Sequence, residues 1–346
     1  MLKNYWYVAC TADELSDTPI GRIICGEPVV IFRQENGQAA ILRNVCPHRQ
    51  APLSMGTVQG GVLRCRYHGM EFDAQGKCVH IPSQDVIPPR SHIKSYPSQE
   101  RYGLIWIWPG DPELADANAL PQLPWREDPS WNSDIVQYFH VKSAHILMND
   151  NLLDLSHVAF LHADSIGFDS KRLEDDPFEV TIEDSYISTR RVFNNTMQAP
   201  AHKAWRELKE PIDRTQLAEW RPPCNINVLA RNENHEAQVD LRADHLITPE
   251  TESTHHYFIA MSRNFRIDDE ALTRKLDEGA RKVHSEDVEI AEAQQEMKRW
   301  TGGTPDMALK ADKALTAAHK ILARLAQQEA SRQATVEDRP RVEPAL

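Results

Sequence analysis

Apolar residues change their spacing along this chain, and the change divides it in two. Over the first hundred residues they come in short runs: Ile23-Ile24, Val29-Val30-Ile31-Phe32 and Ala40-Ile41-Leu42. Turn chemistry such as Gly26-Glu27-Pro28 and Asn36-Gly37 separates them. Such runs predict strands joined by tight turns. Val62-Leu63-Arg64-Cys65 reads as a further strand, Glu71-Phe72-Asp73 with Gly76 as a hairpin, and residues 102–110 as a strand with a hard stop. Residues 116–135 form a connector rich in proline and tryptophan (Pro121, Pro124, Trp125, Pro129, Trp131). Beyond it, Ile182–Val192, Gln238–Ile247 and His255–Ala260 read as strands, while 144–162, 268–299 and 311–332 read as helices. A polar tail follows and is expected to fray. There is no internal repeat. The pattern predicts an α+β chain, with an antiparallel β unit over residues 1–115 and a second unit of sheet and helices over 116–346.

The first chemical signal lies in the β-rich unit. Cys46-Pro47-His48 and Cys65-Arg66-Tyr67-His68 each place one thiol and one imidazole on a short loop. A Rieske [2Fe–2S] cluster needs this set, with cysteines on one iron and histidines on the other, which raises the potential to roughly −150 to +300 mV. Cys2His2 sets also hold tetrahedral zinc, but zinc fingers group the two cysteines together and then the two histidines. Loops that mix one of each suit the cluster better, and Pro47 and Gly69 suit stiff, tight turns.

The second signal is Asn151-Leu152-Leu153-Asp154-Leu155-Ser156-His157-Val158-Ala159-Phe160-Leu161-His162. On a regular α-helix His157 and His162 would stand about 140° apart, too far for one ion. A π-bulge or an unwound turn would bring them together. Without such a defect, one is a surface residue and the other a core histidine. Two histidines and a carboxylate make the facial triad of non-haem Fe(II). The helix over 268–299 has an apolar stripe of Leu272, Leu276, Ala280, Val283 and Ile290, and Asp287 falls in it. A carboxylate there is costly unless paired or bound to metal, so Asp287 is the expected third ligand. Glu286 and Glu289 are expected to face water or the flank.

Composition narrows the partners. The 346-residue chain carries a net charge of −12, which argues against nucleic acid. No long apolar run and no signal-like N-terminus appear, so a cytoplasmic protein away from the membrane is expected. Of six cysteines, Cys10, Cys25, Cys78 and Cys224 show no disulfide framework.

The chain resembles the Rieske non-haem iron oxygenases over essentially its full length. The resemblance rests on the two Cys/His loops, on Asn151–His157 with His162, and on Glu286-Asp287 followed by Glu292-Ala293-Gln294-Gln295. Within that family it is most similar to the vanillate and dicamba monooxygenase type, through Asn4–Cys10, Ile247–Glu250 and Met261–Phe265. The resemblance implies a helix-grip catalytic domain holding a mononuclear iron. It implies a terminal monooxygenase fed from NADH by a separate flavin and iron–sulfur reductase, and a head-to-tail homotrimer. Asp154 would bridge His157 to His68 of the next subunit, and Asn151 would lie near the iron. The expected reaction is O-demethylation of a methoxylated aromatic acid, releasing formaldehyde. Methyl or ring hydroxylation is the alternative, and a non-catalytic electron carrier leaves the second unit unexplained. For the substrate, His245, Asn225 and Arg231 are candidates, with Asn227 and His202; Phe160, Ile166 and Met261 are candidate walls.

Overall fold

The computed structural model describes residues 1–176, 178–203 and 205–337. The polar tail beyond them lies outside the described residues. Three small antiparallel sheets fill the first hundred residues. Ile20–Ile24, Glu27–Arg33, Ala39–Arg43 and Ser95–Tyr96 make one; Thr57–Gln59, Val62–Arg64, Glu71–Phe72 and Cys78–His80 make another. Tyr7–Thr11, Leu104–Ile107 and Ser98–Arg101 make the third. One Cys/His loop leaves strand Ala39–Arg43 and the other joins Val62–Arg64 to Glu71–Phe72, so each sheet contributes half of one site.

The second region is a seven-stranded antiparallel sheet. Its order is Asn132–Val141, His255–Arg263, Gln238–Pro249, Asn225–Glu233, Ile212–Arg221, Ile187–Thr196, Glu179–Ile182. Helices His145–Leu153, Glu270–Trp300 and Lys313–Glu337 pack against it and one another, giving the α+β architecture. The long helix has clear ends. Asp269 accepts a hydrogen bond from the Leu272 N–H (2.9 Å) and Glu270 occupies the first turn. Lys298 and Arg299 stand in the last turn, and Gly302 and Gly303, both at positive φ, follow it.

Backbone bonds tie the two regions together: Cys25 N–H to the Pro249 carbonyl (2.7 Å) and Gly26 N–H to that of Glu250 (2.9 Å). The Thr248 hydroxyl also donates to the Val8 carbonyl (2.7 Å). These bonds keep the β-rich unit in one orientation on its own chain.

Several expectations change. Ile182–Val192 is not one strand: the chain turns at residues 183–186, where Glu183 N–H bonds the Tyr186 carbonyl (2.8 Å). The sequence pattern does not mark strands Asn132–Val141, Glu179–Ile182, Ile212–Arg221 and Asn225–Glu233, because polar residues on both faces blur their alternation. On the long helix Ile290 is 40% exposed, and Ala291 takes the buried position instead.

Candidate functional site

The two Cys/His loops are built alike. Cys46 N–H donates to the Ala51 carbonyl (2.9 Å) and Gln50 N–H returns to the Cys46 carbonyl (2.9 Å). In the other loop Cys65 N–H donates to the Met70 carbonyl (2.8 Å) and Gly69 N–H returns to the Cys65 carbonyl (3.0 Å). Four residues after each cysteine the backbone turns left-handed, at Gln50 (φ 58°) and Gly69 (φ 73°). Both thiols are buried, while His48 and His68 are exposed with ring centroids 4.4 Å apart. Burial pushes the Cys46 thiol up to about 11, opposed by the N–H groups of His48 and Arg49. These amides would serve a thiolate. Two inward sulfurs and two outward imidazoles fit a two-iron cage.

The second site forms because a helix stops early. Helix His145–Leu153 ends at Asp154, whose backbone (φ −104°, ψ 86°) leaves the helical range and whose carboxylate accepts from Ser156 N–H (2.9 Å). That bond starts a 3-10 turn, Leu155–Ala159, carrying His157, and His162 follows in irregular turns. The unwound turn, not a π-bulge, therefore resolves the spacing. The ring centroids of His157 and His162 are 5.2 Å apart. Asp287 reaches them from the long helix, its Oδ1 lying 3.1 Å from His162 Nε2 and 3.6 Å from His157 Nε2. The three donors lie within 4.8 Å of one another.

The hydrogen bonds around these donors fit a metal. His157 Nδ1 meets the Asp154 carbonyl (2.6 Å) and His162 Nδ1 meets Glu286 Oε2 (2.7 Å). Each Nδ1 faces only an acceptor and so carries the proton, leaving the Nε2 lone pair toward Asp287. Burial opposes charge on His162, but Asp287 and Glu286 outweigh it and hold its pKa above the ordinary value. Burial lowers that of His157. Asp287, 3% exposed, is raised by burial, yet the two histidines draw it below the usual carboxylate range. Asn151 Nδ2 donates to Asp287 (3.1 Å), and among the described residues its buried carbonyl oxygen has no partner.

Some roles differ from the expectation. Glu286 does not simply face water: it orients His162, while Glu289 is exposed. Only the packing of the long helix on the His162 turn brings Glu286 there, so its sequence carries no signal. Asp154 touches His157 through its carbonyl, not its carboxylate. Glu292 and Gln295 accept from the N–H groups of Lys142 (2.9 Å) and Ala144 (2.8 Å), seating the start of the helix that bears Asn151.

A cavity of about 360 Å³ adjoins the triad and reaches the sheet. His245, His202, Ile166 and Met261 line it. Phe160 does not, being 66% exposed. Asn225, Asn227 and Arg231 alternate with Val228 and Ala230, so the pleat turns them to the opposite face. There Arg231 is held twice by Asp240 (2.8 Å each), and Asn227 donates to Asp244 (2.8 Å). His245 is buried against the Tyr257 hydroxyl, and burial with neighbouring His284 lowers it to about 3. Residues that the pattern did not single out also line the cavity: Trp205, Arg214, Gln216 and His284.

Comparison with known proteins agrees with this geometry. The model of the Rieske [2Fe–2S] domain matches residues 5–97, and that of the vanillate O-demethylase oxygenase C-terminal domain matches residues 141–328. The vanillate O-demethylase oxygenase subunit of Pseudomonas sp. (strain HR199 / DSM 7063) is 38% identical, over 85% of this chain and 86% of its own. The putative toluene-4-sulfonate monooxygenase system iron-sulfur subunit of Comamonas testosteroni is 36% identical, over 94% and 97%. The crystal structure of dicamba monooxygenase bound to 3,6-dichlorosalicylic acid superposes with a TM-score of 0.88 at 33% identity, covering 96% of this chain and 99% of that one.

Proposed function

Since the chain belongs to the Rieske non-haem iron oxygenases of the vanillate O-demethylase type, we propose that it oxidises the methoxy methyl of an aromatic acid and releases formaldehyde. The observation that carries this is the opening of a largely apolar cavity onto the His157, His162 and Asp287 donors. Cys46, His48, Cys65 and His68 would hold the cluster and the triad the iron. When bound, these groups supply electrons singly and a position for activating dioxygen. The electrons come from NADH through a separate reductase.

The chain's own part is placement. Glu286 and the Asp154 carbonyl fix both imidazoles as Nδ1–H tautomers, and Asp287 supplies the negative charge. Leu155, Val158, Ile166 and Met261 exclude water and bracket a ring. His245, held neutral, is a hydrogen-bonding contact for the substrate and not a charged one. One oxygen atom converts the methyl C–H to C–OH, and the hemiacetal breaks its aryl-O–CH2 bond to leave a phenol and formaldehyde. The other oxygen leaves as water with two electrons and two protons.

We place the boundary of the two units near residue 115. The assembly is a head-to-tail trimer, since the exposed edges of His48 and His68 and the exposed Phe160 beside the triad turn are free to meet a neighbouring copy. Asp154 then has its carboxylate near that junction, and Asn151 stands beside the iron. Among the described residues no helix is long and apolar enough to cross a membrane.

The test is turnover with reductase and NADH on a panel of methoxybenzoates. Formaldehyde equal to the phenol formed is expected. No formaldehyde from any methoxy acid, with oxygenation of another aromatic acid, would overturn the reading. A methyl-hydroxylating role is the second reading, favoured by the near-equal identity of the toluene-4-sulfonate relative over more of its length.

A further inference from the structure

The cavity holds a cation that no carboxylate among the described residues neutralises. Arg214 is 4% exposed. Its Nη1 and Nη2 donate to the carbonyls of Gly167 (3.2 Å) and Ile166 (2.6 Å), and its Nε has no partner among the described residues. No carboxylate pairs with it among those residues, and burial alone lowers its pKa, to about 10, which still leaves it charged at neutral pH. An isolated buried charge is costly, and in folded proteins such a group meets a counter-ion. Two residues along the same strand face, Gln216 is also buried on the cavity, and among the described residues its side-chain oxygen has no partner. Two lysines of the lining, Lys275 and Lys282, are exposed and add positive charge where the cavity meets solvent.

We infer that Arg214 is the specificity residue that receives the carboxylate or sulfonate of the substrate inside the cavity, with the Gln216 amide as its neighbouring polar contact. The inference rests on the aromatic-acid reading above and deepens it. A guanidinium with an open Nε edge suits a planar or trigonal oxyanion, whereas His245 is neutral. His245 also lies level with Trp220 across the sheet, not with Arg214, so the two mark separate points of the wall.

The experiment measures anaerobic binding to the holoenzyme by calorimetry, with 3-methoxybenzoate and the uncharged 3-methoxybenzamide as probes. Toluene-4-sulfonate and toluene-4-sulfonamide form a second pair. Wild type should favour each anion over its neutral counterpart. In Arg214→Gln that preference should fall by at least about 30-fold, the effect of removing one side of a buried charge pair. Arg214→Lys should recover part of it, and Gln216→Leu should lower it less. Iron content and the cluster's visible spectrum report whether each variant is intact. If wild type shows no preference for anions, or Arg214→Gln weakens acid and amide alike, the inference fails and Arg214 only braces the loop after His162. Because binding needs no turnover, this result is independent of whether formaldehyde is formed.

Discussion

The two metal-binding regions reach a similar end by opposite means. In the β-rich unit all four donors lie within two loops, and the same pair of backbone bonds closes each loop around its cysteine. In the catalytic region the donors come from a broken helix and from a helix more than a hundred residues later, and side chains orient them: Glu286 on His162, Glu292 and Gln295 at the start of the Asn151 helix. A site made by local backbone is stiff whatever surrounds it. A site made by packing can be retuned by residues that never touch the metal.

Each prediction presses on that contrast. The largest effects come from the donors. Asp287→Ala should remove the mononuclear iron and all turnover while leaving the cluster spectrum, and Cys65→Ala should remove the cluster spectrum and all turnover while leaving the mononuclear iron, as read by iron analysis and visible absorption. Loss of both centres from either substitution would show that the regions are not separate builds. Iron retained in Asp287→Ala would move the third ligand to Glu286, the other carboxylate that reaches the triad.

Next is Asp154→Asn. An asparagine can still accept from Ser156 N–H, so the break and both iron centres should persist while oxygenation stalls. Undiminished product formation would remove Asp154 from electron transfer between sites. Glu286→Ala should weaken iron binding by roughly 10- to 100-fold, as loss of an outer partner of a metal-bound histidine does, with the cluster untouched. Equal iron affinity by chelator competition would show that the packing around His162 suffices without it.

The smallest effect concerns the helix-on-helix support of Asn151. His319 Nε2 lies 2.8 Å from Asp150, joining Lys313–Glu337 to His145–Leu153. The hydrogen bond to Asp150 raises the His319 pKa, while burial raises that of Asp150 more than His319 lowers it, so the pair is weak. A raised histidine value means its contribution is complete below the unfolded pKa of 6.5 and is lost as pH rises through the folded one. His319→Gln should therefore cost under about 1 kcal/mol at pH 6, discounted for a half-exposed pair, and less still at pH 8.5, by thermal melts. A penalty that grows with pH would contradict the assignment.

Read from residues alone, the chain declares its cluster donors because their chemistry is bound up in spacing along a few positions. It declares Asp287 because a 3.6-residue period forces that carboxylate onto an apolar stripe. It offers His157 and His162 only as a question, since their spacing is wrong for a helix, and the break at Asp154 answers it. Arg214, Glu286 and four of the sheet strands stay hidden, and Arg231 and Asn225 look plausible yet face away from the cavity. The physical reason is one of range. Ligand spacing and helical period are local and survive in the order of residues, whereas which face of a strand meets a cavity, and which acid meets a distant imidazole, is settled when remote elements pack.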